Sequence, residues 1–187
     1  MKFENTEVWG FKHALRGMRN PMNSWEKSDS LIEREFEGQL EIGKNDMKLA
    51  QTLIKAGSEH RKFLRQIFVS VDITAPLYWW KEFDTYKIGT VANSTSTMHK
   101  LVSTPITVNC FEMDDYAELD YDFCSDMWFC LVAWLECLRL HYNKTKDKHY
   151  WKELIRLLPE SWLQKRTVTM NYENILNIIH QRKNHKL

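Results

Sequence analysis

The pattern of apolar and polar positions predicts a chain that mixes amphipathic helices with short strands. Between residues 67 and 73, valine and isoleucine occupy every second position, which is typical of a strand with one buried face. Elsewhere apolar residues recur at three- and four-residue spacing, which predicts helices. We expect helices at 11–19, 45–56, 76–83, 121–142, 150–158 and 171–182, and further strands at 7–10 and 166–170.

Residues that favour helix ends support several of these bounds. Asn45 is suited to cap the helix that follows it, and Gly57 is suited to end that helix. Pro76 suits the first turn of a helix. The polar stretches 23–35 and 89–98 are expected to be connections. Because no internal repeat or low-complexity tract appears, a single α+β domain covering the whole chain is the simplest architecture.

Composition excludes several classes of protein. The formal net charge of +1 argues against a general binder of nucleic acid or of membrane surfaces. The richest apolar run, 127–138, is too short to span a bilayer and contains Glu136. The first residues lack the apolar segment of a signal peptide. We therefore expect a cytoplasmic protein that binds neither nucleic acid nor membrane.

The cysteines and histidines give no sign of a metal site. The four cysteines form no Cys-x-x-Cys pair, and the histidines lack the spacing of metal ligands. We expect neither a bound metal nor a disulfide. Cys130 and Cys137 lie seven residues apart in an apolar helical run, which predicts buried thiols.

The segment 171–182 carries the most specific chemical signal. Its isoleucines share one helical face, and Arg182 falls on or beside that apolar stripe. A guanidinium near a buried face needs an anion or several acceptors, because burying it unpaired is costly. The alternative is an arginine whose aliphatic stem covers the core while its charged head stays in water.

Two further segments carry polar groups that complete a pattern. In 74–90, a strand runs through Ala75-Pro76 into a helix, and 93–100 is a loop rich in hydroxyl and amide groups. Together with 158–182, these segments resemble the flavin-dependent thymidylate synthase family, ThyX. In that family the Ala-Pro helix ends in Gln-x-x-Arg-His-Arg-x-x-Ser, a Ser-x-Arg element follows, and the C-terminal helix carries Asn-x-Arg-x-x-x-Asn-x-x-x-x-Arg.

The C-terminal pattern is matched well, whereas the first pattern is largely replaced. Asn171, Asn177 and Arg182 stand at the expected spacing, with Glu173 in place of the middle arginine. The family's Arg-His-Arg corresponds to Thr85-Tyr86-Lys87, and a lysine lacks the planar fork of an arginine. The chain also stops soon after Arg182, so relative to the family we expect it to be short at this end.

The resemblance implies roles for particular residues. It implies a catalytic role for Arg182. It implies cofactor binding by Asn171, Asn177, Thr85, Tyr86, Lys87 and Asn93. It implies substrate binding by Glu82, Thr90, Ser94, Ser96, His99, Lys100 and Arg182.

The resemblance also implies a fold and an activity. The fold would be a ThyX-like single domain over residues 1–187, with a small antiparallel or mixed sheet packed against long helices. The activity would be reductive methylation of dUMP to dTMP with FAD, NADPH and methylenetetrahydrofolate, in a homotetramer. Because Arg-His-Arg is lost, the alternatives are a relative that modifies another pyrimidine nucleotide and a homologue that binds nucleotide or flavin without turnover.

Several of these segments also have a purely structural interpretation. The 89–98 loop can simply cap and turn, and Asn171 can cap its helix with help from Asn174. The residues 85–87 can form an ordinary helix end. The aromatic side chains at 78–80 are more typical of a core or a subunit contact than of a stacking platform.

Overall fold

The computed structural model describes residues 1–34, 39–86, 88–114 and 121–184, with the backbone alone for 33, 34, 39 and 121–126. The strands are β1 (Lys2–Trp9), β2 (Leu31–Arg34), β3 (Gln39–Glu41), β4 (Phe68–Pro76), β5 (Val91–Ser94) and β6 (Leu163–Asn171). The helices are α1 (Phe11–Arg19), α2 (Lys44–Ala56), α3 (Leu77–Phe83), α4 (Thr97–Lys100), α5 (Tyr121–Thr145), α6 (Lys148–Leu157) and α7 (Tyr172–Arg182).

The strands form one four-stranded sheet, in the order β1-β4-β6-β5, and a separate antiparallel pair, β2 and β3. In β4, alternate side chains from residue 69 to 75 are buried, as the sequence pattern predicts. The Ser70 hydroxyl contacts that of Thr169, and the Thr167 hydroxyl donates to Asp72. From the first of these contacts to the second, the residue number rises in β4 and falls in β6, so the two strands are antiparallel. The expected α+β class is confirmed.

The chain divides into two compact units. The first unit consists of residues 1–2, 73–85 and 93–166. The second unit consists of the described residues of 3–72, 86–92 and 167–187. Strands β4 and β6 each contribute residues to both units.

The core of the first unit lies between α5 and α6. Leu135 and Leu154 are fully buried there, with Phe111 beside them. The ring of Phe111 meets Trp128 and Trp162 edge-on at centroid distances of 5.1 and 5.4 Å. Such edge-to-face pairs are favourable because the positive ring edge faces the negative ring face of its neighbour.

The helix α3 is anchored in the same unit by Trp80. This indole is 1% exposed, and its Nε1 donates to the Gln164 carbonyl at 3.0 Å. The Arg166 guanidinium lies 4.2 Å from the Trp80 ring centroid and binds the Asp84 carboxylate at 3.0 Å. Trp80 is therefore a core residue, in agreement with the structural interpretation of the aromatic run.

The core of the second unit is built around α1. Ala14, Leu15 and Met18 are buried on one helical face, against Phe63 and Leu64 of the short 3₁₀ helix that precedes β4. Met18 follows Leu15 by three residues and Ala14 by four, which is the spacing expected of one helical face.

A buried ion pair holds the polar segment after α1. The Arg19 Nε donates to Asp46 Oδ1 at 2.6 Å, and these residues are 4% and 0% exposed. The same guanidinium donates to the carbonyls of Ser24 and Lys27, while the Ser28 hydroxyl donates to Asp46. This segment, predicted as a surface connection, is thus fastened to α1 and α2.

Several sequence expectations hold in detail, and others need correction. Helix α1 has the predicted bounds, and Gly57 follows the last residue of α2. Asn45 does not cap α2, because Gly43 is at the cap and the side chain of Asp29 accepts from the backbone of Asn45. Cys130 is exposed and Cys137 is only half-buried, so the prediction of two buried thiols is wrong.

The polar stretches also contain more regular structure than expected. Strand β2 lies within 23–35, and β5 and the start of α4 lie within 89–98. The first strand spans Lys2–Trp9 rather than the predicted 7–10. Strands of four residues, such as β2 and β5, have too few positions from which a period can be read.

The first prediction concerns Asp46→Asn, which removes the charge and keeps the size. We expect the free energy of unfolding at pH 7 to fall by about 3 kcal/mol, because the Arg19 guanidinium would stay buried without its anion. Denaturant unfolding measures this change, with the exposed Glu41→Gln as control. Equal stability of Asp46→Asn and wild type at pH 7 would contradict the assigned role.

The pH dependence of this effect follows from the pKa of Asp46. Burial acts to raise that pKa, but hydrogen bonds from Ser30, Ser28 and Arg19, with the charge of Arg19, outweigh burial and lower it. A lowered folded-state pKa gives stability that is present above the unfolded-state pKa of about 3.9 and is lost as the pH falls below it. The stability difference between wild type and Asp46→Asn should therefore shrink between pH 5 and pH 2, roughly the range in which such carboxyls titrate.

Candidate functional site

The first turn of α7 is closed by a reciprocal pair of amides. The Asn174 backbone N–H donates to Asn171 Oδ1 at 3.0 Å, and the Asn171 backbone N–H donates to Asn174 Oδ1 at 3.3 Å. This capping box satisfies two backbone donors at the helix start. The structural interpretation of Asn171, with Asn174 assisting, is confirmed. Among the residues that the structure describes, none accepts from the Nδ2 group of Asn171, which therefore remains a donor for a ligand.

A tight turn at 88–90 lies directly against these amides. The Asn174 Nδ2 donates to the Ile88 carbonyl, and the Thr90 hydroxyl donates to the Tyr86 carbonyl at 2.9 Å. Gly89 has a φ of +78°, and a Cβ there would lie 3.0 Å from Asn174 Oδ1. The left-handed backbone therefore favours glycine here, and the tight space beside Asn174 adds to that preference.

The guanidinium of Arg182 binds a phenol. Its Nε donates to the Tyr86 hydroxyl at 2.6 Å, and its Cζ lies 5.4 Å from the Tyr86 ring centroid. Both side chains are partly buried. The contact with the Tyr86 hydroxyl, a neutral acceptor, is one that neither sequence alternative described.

A second guanidinium reaches α7 from the 3₁₀ region before β4. The Arg61 Nε donates to both Glu173 carboxylate oxygens at 3.1 and 3.0 Å, and an Nη donates to Oε1 at 2.9 Å. The same Nη donates to Asn177 Oδ1 at 3.3 Å. Glu173 is 8% exposed, so the pair is largely shielded from water. Fork-like pairs of this kind are strong and directional.

These residues form one group, which we call the α7 polar cluster. Its members all belong to the second unit and are Arg61, Tyr86, Asn171, Glu173, Asn174, Asn177 and Arg182. Among the described residues, Asn177 is bonded through its oxygen only, so that its Nδ2 remains a donor, like that of Asn171. The cluster can offer amide, guanidinium and phenol groups to a ligand rich in oxygen acceptors.

The other residues singled out in the sequence belong to the first unit, apart from Thr90 and Lys87. The Thr85 hydroxyl donates to the Glu82 carbonyl at 2.7 Å, and the Ser96 hydroxyl accepts from the His99 backbone N–H at 3.1 Å. Four more predicted site residues are exposed, two on β5 and two on α4: Asn93, Ser94, His99 and Lys100. Lys87 lies outside the described residues, so its predicted role stays a prediction.

Sequence reasoning missed Arg61 altogether. The signal for it was Glu173, an acidic residue where the family pattern has an arginine. A carboxylate on the inward side of a helix needs a cation, and Arg61 is that cation here. No local pattern around residue 61 indicates the pairing, because its partner lies 112 positions further along the chain.

Two other kinds of site are not found in the described part of the chain. Residues 1–34, 39–86, 88–114 and 121–184 contain no group of three or more His, Cys, Asp or Glu side chains placed to hold a metal ion. In the same ranges, no helix has both the length and the apolar character needed to cross a membrane.

Comparison with known proteins identifies the fold. No protein-family model matches the chain, and no curated protein matches its sequence. Two crystal structures of the flavin-dependent thymidylate synthase ThyX from Helicobacter pylori, each with FAD and dUMP, are similar along its whole length. Their TM-scores are 0.69 and 0.70 at 17% and 16% identity, and 86% of each of those chains is covered. The chain therefore has a ThyX-like α+β fold.

Proposed function

We propose that this chain is a flavin-dependent enzyme of the ThyX type, acting on a pyrimidine nucleotide. The specific activity proposed is reductive methylation of dUMP to dTMP, with FAD as cofactor and NADPH and methylenetetrahydrofolate as co-substrates. The observation that carries the proposal is the α7 polar cluster. In it the three matched residues of the C-terminal pattern stand on one helix, in a fold similar to that of proteins crystallised with FAD and dUMP.

The donor set of the cluster suits a flavin nucleotide. Ribityl hydroxyls and phosphate oxygens accept hydrogen bonds, and the Nδ2 groups of Asn171 and Asn177 can donate them. The guanidinium of Arg61 adds positive charge beside Asn177.

The chemistry of the proposed reaction divides between cofactor and protein. A bound flavin supplies the reducing equivalents for a methyl transfer of this kind. The protein must hold the pyrimidine and stabilise the negative charge that develops on it. Arg182 is suited to that task, because its guanidinium keeps its charge at all working pH values. The Tyr86 hydroxyl holds Arg182 in one orientation, which reduces the cost of positioning it for each turnover.

Arg61 is proposed to take over the part of the missing arginine. In the family pattern a positive charge stands at position 173, whereas here the charge reaches the same face of α7 from another element. Glu173 orients this guanidinium and also reduces its net positive charge. The proposed anion contact is therefore weaker than an unpaired arginine would give.

A second candidate function is modification of a different pyrimidine nucleotide. It is favoured by the replacement of Arg-His-Arg with Thr85-Tyr86-Lys87 and by the carboxylate at Glu173. The first change removes two cationic side chains from the family pattern, and the second adds a negative charge. A homologue that binds flavin or nucleotide without turnover is the remaining possibility, and the experiments below separate it from the two enzymes.

The proposed assembly is a homotetramer. On α5, a broad arc of the helix exposes apolar side chains that no described residue of the chain covers: Met127, Phe129, Trp134 and Leu140 are 74, 52, 52 and 53% exposed. An aromatic-rich exposed arc of this kind is typical of a subunit interface. We propose that a second copy of the chain covers this surface of α5. The proposed location of the protein is the cytoplasm.

The test of the cofactor is direct. Full-length protein incubated with FAD and desalted should absorb near about 450 nm, as flavoproteins do. Mass spectrometry of the released small molecules should then identify FAD, and dUMP should perturb the flavin spectrum. Absence of bound flavin would refute the proposal. A spectrum that responds to another pyrimidine nucleotide and not to dUMP would favour the second candidate.

The test of Arg182 compares binding with turnover. Arg182→Ala should lose turnover of dUMP by at least about a hundredfold, because it removes charge stabilisation at the reacting ring. Far-UV circular dichroism and thermal unfolding should stay close to wild type. Arg156→Ala, on the exposed side of α6, is the matched control. Unchanged turnover in Arg182→Ala would show that Arg182 is not part of the site. Separately, rescue of a thymidine auxotroph by the wild-type protein would show that it is an enzyme and not an inactive homologue.

The ion pair of Arg61 gives a prediction in which stability and affinity change in opposite directions. Glu173→Gln should lower the free energy of unfolding by about 1–3 kcal/mol, since a charge-assisted pair is lost. The same change should strengthen FAD binding, because the positive charge of Arg61 is no longer neutralised. Equilibrium titration with FAD and denaturant unfolding measure the two effects. Weaker FAD binding in this variant would assign Arg61 and Glu173 a structural role alone.

The proposed assembly is tested by paired charge insertion. Light scattering should report a tetramer for wild type and smaller species for Phe129→Glu/Trp134→Glu, because burying two unpaired carboxylates is costly. Lys144→Glu, at the exposed end of α5, is the control. A wild-type monomer, or a variant that assembles as the wild type does, would contradict this interface.

A further inference from the structure

A cavity of about 290 Å³ lies on the outer side of α1, and we call it the α1 pocket. One wall is a stripe of α1 that includes Lys12, Arg16 and Arg19, at the three- and four-residue spacing of one helical face. The other wall comes from the segment after the helix, through Trp25, Ser28 and Ser30. Two aliphatic side chains complete the lining. The described residues that line this pocket include none of the α7 polar cluster.

The walls of this pocket are held in place by buried bonds. Arg19 binds Asp46 and the carbonyls of Ser24 and Lys27, while the hydroxyls of Ser28 and Ser30 donate to Asp46. Both members of the ion pair are almost inaccessible to water. The segment that forms the second wall therefore has a fixed position before any ligand arrives, which lowers the entropy cost of binding.

The indole of Trp25 is held in a defined orientation. Its Nε1 donates to Asn20 Oδ1 at 2.9 Å, and the residue remains 49% exposed. A half-exposed indole with its only polar atom already bonded offers an apolar ring surface. Planar aromatic ligands stack on such a surface with little dependence on their identity.

The charges at the pocket are unbalanced. Lys12 and Arg16 are exposed, stand four residues apart, and form no ion pair or hydrogen bond through their side chains with any described residue. Their positive charges repel each other at this spacing. Two described carboxylates beside the pocket are engaged elsewhere, since Asp46 binds Arg19 and Asp29 accepts from the backbone N–H groups that begin α2. No acidic side chain lines the pocket among the described residues.

We propose that the α1 pocket binds a small aromatic phosphate, the class to which nucleoside monophosphates belong. Lys12 and Arg16 hold the phosphate, and Trp25 stacks on the ring. A doubly charged phosphate relieves the repulsion between the two cations, and a guanidinium matches its oxygens in bidentate geometry. The volume lies at the lower end of the range for small-molecule pockets, which suits one ring and one phosphate rather than a dinucleotide.

This site is independent of the proposed flavin and pyrimidine chemistry. It uses different residues from the α7 polar cluster, and its ligand need not react. Loss of function at one site therefore leaves the other available for measurement.

AMP is the probe for the experiment, with the full-length chain titrated by calorimetry at low salt. We expect Lys12→Gln/Arg16→Gln to weaken AMP binding by at least about tenfold, because both phosphate contacts lose their charge. The control is Lys44→Gln/Lys48→Gln, two exposed lysines at the same four-residue spacing on α2 that do not line the pocket. This control should bind AMP as wild type does.

The role of the ring is tested separately. Trp25→Leu should weaken AMP binding by about tenfold and Trp25→Phe should retain most of it, since stacking needs an aromatic face. Ribose 5-phosphate and inorganic phosphate should bind more weakly than AMP to wild type, and adenosine should bind more weakly still. The thermal midpoints of all variants should match wild type, which would show that the frame around Asp46 is intact.

Three results would overturn the proposal. The first is the absence of AMP binding to wild type at millimolar concentration, which is about the weakest affinity that a small-molecule site of this kind would show. The second is equal binding by Lys12→Gln/Arg16→Gln and by its α2 control. The third is equal affinity for AMP and ribose 5-phosphate, which would leave the indole without a function in binding.

Discussion

The bidentate pair between Arg61 and Glu173 is the interaction on which the geometry of α7 depends. It joins the 3₁₀ region before β4 to the inward face of the last helix, and it does so with three hydrogen bonds among largely shielded groups. A charge in such a place is tolerated only when its partner is present and well oriented. The positions of Asn177 and Arg182 further along α7 follow from where this pair holds the helix.

Charge in the second unit has two distinct uses. Arg19 and Arg61 are each neutralised by a shielded carboxylate, and both fasten segments that would otherwise be polar connections. Lys12 and Arg16 are at the surface of a cavity and are paired with no described residue. Arg182 donates to the hydroxyl of a phenol, Tyr86, which carries no charge of its own. The net charge of the chain is near neutral and does not reveal this division, because it adds buried, paired charges to exposed charges that can bind a ligand.

Periodicity predicted most of the long elements because it records which side chains face a core. The alternation in β4 and the spacing in α1 correspond to buried faces in the structure. The isoleucine stripe of α7 does not, because Ile175 and Ile178 are only half-buried and Ile179 is 56% exposed. The capping residue of α2 could not be found in this way. The backbone N–H of Asn45, at the start of α2, donates to Asp29, which lies 16 residues earlier and comes close only in the folded chain. Short elements such as α4 and β5 were missed for a related reason, since four residues carry too little pattern.

The candidate site was predictable only in part. The spacing of Asn171, Asn177 and Arg182 identified the helix that matters, and the structure gives each of them a partner or a remaining donor. Arg61 was hidden because a pairing between distant residues leaves no local trace in sequence. Thr85 and Ser96 were read as ligand contacts, and they also make the local backbone contacts expected of turn residues. The structure is thus compatible with both interpretations of these hydroxyls.

Gly89 has a consequence for how this surface can change. Its left-handed backbone disfavours residues with a side chain, and a Cβ here would lie only 3.0–3.4 Å from the amide groups of Asn171 and Asn174. Substitution of side chains on α7 is therefore a less costly way to change selectivity here than substitution at Gly89. Adaptation to a new ligand is expected to proceed mainly through the helix, while the turn contributes backbone groups.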